Sequence, residues 1–228
     1  KSFFNQDSSK YLSIDSLSFS DQNLTSVRWE NDSLRIVPDT TLISVLSAGF
    51  NAGATCVISK NGINLLSNTF FAGMGIVVFD NITLAVDTST WFQLFNQPAN
   101  VEALATLIDS IPVGKIVAMG VADDARNNLS THLKNSIKSL GSNLIDSLQF
   151  RGSWALIGWK GAPSGSVQEM VKPSLPPESV FIDSNFVKLS DSGSFKTNPI
   201  GLAGSWKVIN VEENIPSDAS TSYKILGI

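Results

Sequence analysis

Apolar and polar residues along the chain alternate in three textures. Between residues 1 and 40 the runs "YLSIDSLSFS" and "SVRWENDSLRIV" alternate one for one, the period of half-buried antiparallel strands. From about Leu42 the runs lengthen. "LISVLSAGF" and "ATCVIS" read as strands, and Asn61-Gly62 supplies the positive φ of a type I′ turn into "INLLS". "GMGIVVFD", Gly73 to Asp80, is continuously apolar, as expected of a strand covered on both faces, and "LAVDTSTWFQLF" follows as an edge strand. "NVEALATLIDS" sets Val101, Leu104, Ala105 and Ile108 on one helical face.

"KIVAMGVAD" is a second buried strand, closed by Asp123 and Asp124. A second helix is expected over Asn127 to Leu140, with Leu129, Leu133, Ile137 and Leu140 inward and Gly141 as its stop. "SWALIGW" is another strand, with Trp154 on an inward position. "GAPSGSVQEMVKPSLPPES" reads as a linker holding a short amphipathic piece. After Val180 the β texture returns in "VFIDSNFVKLS", "GSWKVINVE" and "TSYKILGI". The expected division is a β-rich segment at 1–41, an α/β core at 42–172 and a linker with a β-rich segment at 173–228. Neither flank holds enough strand to be stable alone, so the two are expected to pair or to dock on the core.

Composition narrows the function. The 228 residues are 43% hydrophobic and 16% charged, with a formal charge of −4, which excludes a disordered chain and gives no basic footprint for nucleic acid. No apolar run is long enough to span a bilayer, and the absence of an initial Met suggests an internal fragment of a longer chain. Cys56 stands alone in uncharged, strand-like surroundings and is expected to be a buried thiol. His132 is the only histidine, on an exposed helix flank. G-x-S-x-G, H-E-x-x-H and the P-loop pattern are all missing, so no enzyme and no cofactor is expected. Asp-rich stretches such as "SDQN" and "DSNFVKLSDSG" are the one place where a carboxylate-held calcium could sit.

Arg151 poses the remaining question, a lone cation at the mouth of a strand that is otherwise core. Four stretches bear on it in order: "GMGIVVFDNITLAVDT", "ALATLIDSIPVGKIVAMGVADDA", "LKNSIKSLGS" and "FRGSWALIGWKGA". Together, over roughly residues 42–172, they resemble the interleukin-like EMT inducer (PANDER-like) domain of secreted signalling proteins and of the stem of protein O-mannose N-acetylglucosaminyltransferase. The resemblance implies a compact α/β fold, a mixed β-sandwich core with two or three helices, flanked here by β-rich segments. It implies a non-catalytic secreted ligand or glycan-contacting module, extracellular or exposed on a cell surface or virion. In the transferase stem the family binds glycans ending in a β-linked N-acetylhexosamine through an Asp closing a strand and the Arg of R-x-x-W. Asp123 and Arg151 stand at those positions. The alternatives are an ion pair between the two with no ligand, and a structural or adhesion domain of a surface assembly or phage tail-like fibre. Neighbouring domains of a longer chain are the other expected partners, with homo-oligomer formation left open.

Overall fold

In a computed structural model, residues 38–188 are described except Phe70, together with residues 2–6, 10–14, 24–25, 27–30, 33–36, 194–195, 208–211, 220 and 222. "SDQN" and most of "TSYKILGI" lie outside the described residues, as does the end of "DSNFVKLSDSG". The chain divides into two compact units, one from Lys1–Asp39 with Leu189–Ile228, the other Thr40–Lys188.

The first unit is drawn from both ends of the sequence. Strand β1 (Ser2–Gln6) pairs antiparallel with β2 (Lys10–Ile14) and, on its other edge, with β16 (Val208–Val211). Two small ribbons complete its described strands: β3 (Leu24–Thr25) with β15 (Ser194–Phe195), and the hairpin β4 (Val27–Glu30) to β5 (Ser33–Ile36) read from "SVRWENDSLRIV".

The second unit is one mixed, nine-stranded sheet with two helices, a β-rich α/β fold. Its strands are β6 (Asp39–Gly49), β7 (Thr55–Lys60), β8 (Ile63–Asn68), β9 (Gly73–Phe79), β10 (Val86–Gln93), β11 (Ile116–Asp123), β12 (Ser153–Trp159), β13 (Gln168–Lys172) and β14 (Val180–Lys188). Asn61 and Gly62 take φ of 50° and 78° between β7 and β8, the turn their dipeptide dictates. β9 is buried at every position and β10 lies at the sheet edge.

β11 organises the unit. It runs antiparallel to β9 and β12, and all but its last residue are buried. Its alternation divides the core: Val117, Met119 and Val121 face the helices, while Ile116, Ala118 and Ala122 face a second cluster with Ile43, Ile58, Phe79 and Val180. Helix α1 (Pro98–Ser110) buries Val101, Leu104, Ala105 and Ile108, the face its spacing predicts.

Helix α2 (Thr131–Lys138) is shorter than expected at its start. Ser130 caps it, its hydroxyl accepting from the Leu133 N–H, and Arg126–Asn128 form a separate 3-10 turn. The cap, a local polar preference, prevails over the longer apolar period. The stretch taken for a linker also differs. Its amphipathic piece is β13, which extends the sheet beside β12, because Glu169 reaches inward to the Trp154 indole at 2.7 Å and fixes the register.

Candidate functional site

The site forms where the sheet splits. β11 and β12 pair from Ile116↔Trp159 to Gly120↔Ala155 and then part. The end of β6 enters the gap and runs parallel to β11 as Ala122↔Ala48 and Asp123↔Gly49. Ser47, fully buried, holds the junction: its hydroxyl donates to the Val121 carbonyl at 2.8 Å and accepts from the Trp154 N–H at 3.1 Å. Gly49 donates its N–H to the Ser153 hydroxyl at 2.8 Å, and a Cβ there would run into the Arg151 carbonyl. Gly152 is equally constrained, since a Cβ would lie 2.8 Å from the Lys172 carbonyl oxygen. Backbone packing this close leaves Arg151 nowhere to turn but outward.

Asp123 and Arg151 flank the split with φ of 62° and 56°. Both are in the left-handed region, which costs a residue with a Cβ free energy and persists only where the surroundings impose it. Asp124 holds the Arg151 backbone in it. Only 4% exposed, it accepts the Arg151 N–H at 3.0 Å and the Arg126 N–H at 3.1 Å on one carboxylate oxygen. Its other oxygen, Oδ2, is buried without a partner. A buried carboxylate oxygen normally has one, so this group calls for an explanation.

The expected alternative, an ion pair between Arg151 and Asp123, is not what the side chains make. No ion pair within 4.0 Å joins them. The guanidinium instead lies over the Phe50 ring, 4.0 Å from its centroid, and 5.0 Å from that of Phe150. Both rings are about half exposed, so they shield the faces of the cation. Asp123 still feels it. Burial pushes the Asp123 carboxyl above its ordinary value, the Arg151 charge draws it back, and neighbouring Asp124 raises it again. The result is a carboxylate and a planar donor fork, near but not joined, at the strand ends where both sequence-derived residues were expected.

Phe50, Phe150 and the anchoring role of Asp124 escape sequence reading. The Asp-Asp doublet and the aromatic beside Arg151 in "QFRGS" were visible signals. Phe50 gave none, since the contact closes only through β6. Trp154 is core, fully buried, with its indole N–H donated to Glu169. Cys56 is buried as expected, which pushes its thiol up to about 12. His132, exposed on α2, bonds Glu102 and Asp109 of α1 through its two ring nitrogens at 2.8 Å each, and so clasps the helices together. Among the described residues no cluster of three His, Cys, Asp or Glu could hold a metal.

Comparison with known proteins bears on this same stretch. Residues 72–162 match the family described as interleukin-like EMT inducer. A cell surface hyaluronidase of Danio rerio is 32% identical over 112 residues, 49% of this chain and 8% of that protein. The human cell migration-inducing and hyaluronan-binding protein is 28% identical over 100 residues, 44% of this chain and 7% of the relative. Protein FAM3C of Xenopus laevis is 29% identical over 111 residues, 49% of this chain and 48% of its own length. The chain therefore spans about half the length of FAM3C and under a tenth of the two larger relatives. The family match starts at β9 and closes just after β12, so β11, β12 and the flanking pair lie inside it, while the end of β6 that enters the split and Phe50 lie outside it. The match to the interleukin-like EMT inducer family over residues 72–162 takes in both Asp123 and Arg151.

Proposed function

We propose that this domain is a non-catalytic glycan-contacting module of a larger extracellular or cell-surface protein, and that Asp123 and Arg151 are its ligand-binding pair. The observation that carries the reading is the state of Arg151: backbone held in the left-handed region, faces covered by two phenyl rings, and no carboxylate among the described residues joined to it. A cation held this way keeps its in-plane N–H groups for an external acceptor. The acetamide carbonyl of an N-acetylhexosamine is such an acceptor, and the Asp123 carboxylate can take two hydroxyl protons from the same sugar. Two of the relatives are named for hyaluronan, a glycan, which supports the ligand class. No helix among the described residues is long and apolar enough to cross a membrane. The strands β6–β8 against the central strands are read as the second layer of a β-sandwich over which the site is built.

The test is calorimetric titration with a β-linked N-acetylglucosamine disaccharide. Wild type should bind saturably, with Kd between about 1 mM and 1 μM. Arg151→Lys keeps the charge and loses the planar fork, so binding should weaken roughly tenfold, equivalent to about 1.4 kcal/mol, with the melting temperature unchanged. Absence of saturable binding by wild type to any saccharide would overturn the proposal and leave a structural role.

A further inference from the structure

At the other end of β12 a second feature has no part in the Arg151 site. β13 begins at Gln168, opposite Ile157, so Gly158 and Trp159 run on without a partner along that edge. β14 passes on the far side of the notch. Between them is a half-open groove of about 310 Å³, lined by Trp159, Ser166, Gln168, Ser184, Asn185 and Phe186 among others. This volume lies at the lower end of the range for small-molecule sites. From Ser153 to Trp159 the strand rises six residues, roughly 20 Å, so the groove and Arg151 cannot share one small ligand.

The lining has a definite chemistry. Trp159 keeps 38% of its surface exposed although its strand is otherwise buried, and Phe186 is half-buried beside it. Gln168, Ser184 and Asn185 carry uncharged donors and acceptors, and none of these side chains is bonded to another of the described residues. Among the described residues no charged one lines the groove. Two charged neighbours of the lining are engaged elsewhere: Glu169 pairs with the Trp154 indole on the opposite face, and the Lys160 ammonium donates to the Ile108 carbonyl and the Ser139 hydroxyl. On β14 Asp183 stands two residues before Asn185 and Lys188 two residues after Phe186, one charge of each sign, and neither is in the lining.

We propose that this groove is a second saccharide subsite, selective for a neutral pyranose. An aromatic platform accepts the apolar C–H face of the sugar, and the free amides and hydroxyls pair with its equatorial hydroxyls. Without a cation in the lining, the groove has no counter-charge for uronate and sulfated sugars and so disfavours them. The Arg151 end is built for an acceptor group such as an acetamide, whereas this end is built for an uncharged ring.

The test uses the intact chain, labelled with nitrogen-15, titrated with cellohexaose, which lacks both acetamide and charge, and in parallel with a hyaluronan hexasaccharide. Cellohexaose should shift the Trp159 indole N–H and the Gln168 and Asn185 side-chain amide signals saturably. Trp159→Ala should weaken this binding roughly tenfold, and Gln168→Ala should weaken it less, while Arg151→Lys leaves it unchanged. Hyaluronan should move those signals less than cellohexaose does at equal concentration. The proposal is overturned if cellohexaose leaves the Trp159, Gln168 and Asn185 signals in place, if Trp159→Ala binds as wild type does, or if hyaluronan is preferred at these signals. Shifts confined to the surroundings of Arg151 would overturn it too, while leaving the Asp123 and Arg151 reading intact.

Discussion

The paired strands β11 and β12 carry cations at both ends, and Lys115 at one end and Arg151 at the other are treated in opposite ways. At one end Lys115 donates to Asp80 and Asp87 at 2.8 Å each, with Asp80 also held by the Thr83 and Ile82 N–H groups. The ammonium and those backbone donors hold the Asp80 carboxyl well below the usual carboxylate range, and the two carboxylates raise Lys115. At the other end Arg151 has no carboxylate among the described residues joined to it, sits in a left-handed backbone and is covered by phenyl rings. A charge whose partners are all internal closes a fold. One left with free in-plane donors, at a cost in backbone strain, is what a ligand site requires.

The largest effect should come from removing what closes over the Arg151 end from outside. The segment after β13 lies against it: the Ser153 hydroxyl donates to the Glu178 carbonyl, and the Asn51 amide reaches the Ser174 carbonyl. A fragment of residues 40–188 is expected to fold and to bind as the whole chain does. Ending it at 172 strips away β14, whose Val180 and Ile182 are 0% and 5% exposed, a loss of about 4 kcal/mol from the two side chains together. Urea melts of the two fragments check this, and equal stability would show that the tail adds nothing to the site.

Next comes Asp124→Ala. It leaves the Arg151 and Arg126 N–H groups without their charged acceptor, which should cost about 3 kcal/mol and release the Arg151 backbone. Asp124→Asn keeps one acceptor oxygen and should cost distinctly less, as thermal melts would show. An Ala variant as stable as wild type would contradict the anchoring role.

Asp123→Gly should do the reverse. Glycine accepts a φ of 62° without strain, so stability should rise by about 0.5 kcal/mol while glycan binding is lost. The pH dependence follows from the same group. The Asp123 carboxyl is raised in the folded state, so the native protein holds its proton longer, and stability falls as pH rises from the unfolded carboxylate range through the raised value. The glycine variant should lose that slope, which a series of melts between pH 3 and pH 6 would measure.

The smallest effect belongs to the opposite end. Lys115→Met should lower stability slightly, with the difference shrinking in high salt and no change in binding, because its charge has only structural partners. Asp80 is lowered in the folded state, so its contribution is present above the unfolded carboxyl value and is lost as pH falls through the folded one. The methionine variant should therefore be less sensitive to acid than wild type.

These two ends were unequally legible in the sequence. Strands such as β9 and β11 could be read because burial on both faces leaves an unbroken apolar run, and α1 because its apolar spacing matches one helical face. Asp123 and Arg151 could be found from their places at strand ends within a family pattern. The split itself could not be read, because the entry of β6 between β11 and β12 rests on Ser47 and Gly49, small residues that look like any strand positions until Trp154 and Arg151 are brought beside them. β13 was hidden for a similar reason. Its pairing depends on Glu169 meeting an indole fifteen residues earlier, a contact that local composition rich in Pro, Gly and Ser does not announce.

The measurement closest to the central claim follows the side-chain Nε–H resonance of Arg151 in the nitrogen-15 spectrum during titration with a β-linked N-acetylglucosamine disaccharide. If the Arg151 fork is a ligand group, that resonance should shift saturably in wild type, with the same midpoint as the calorimetric binding, and the shift should be absent in Asp123→Gly. A resonance that stays fixed while the sugar binds elsewhere, or while nothing binds, would contradict the account and make Arg151 a structural cation like Lys115.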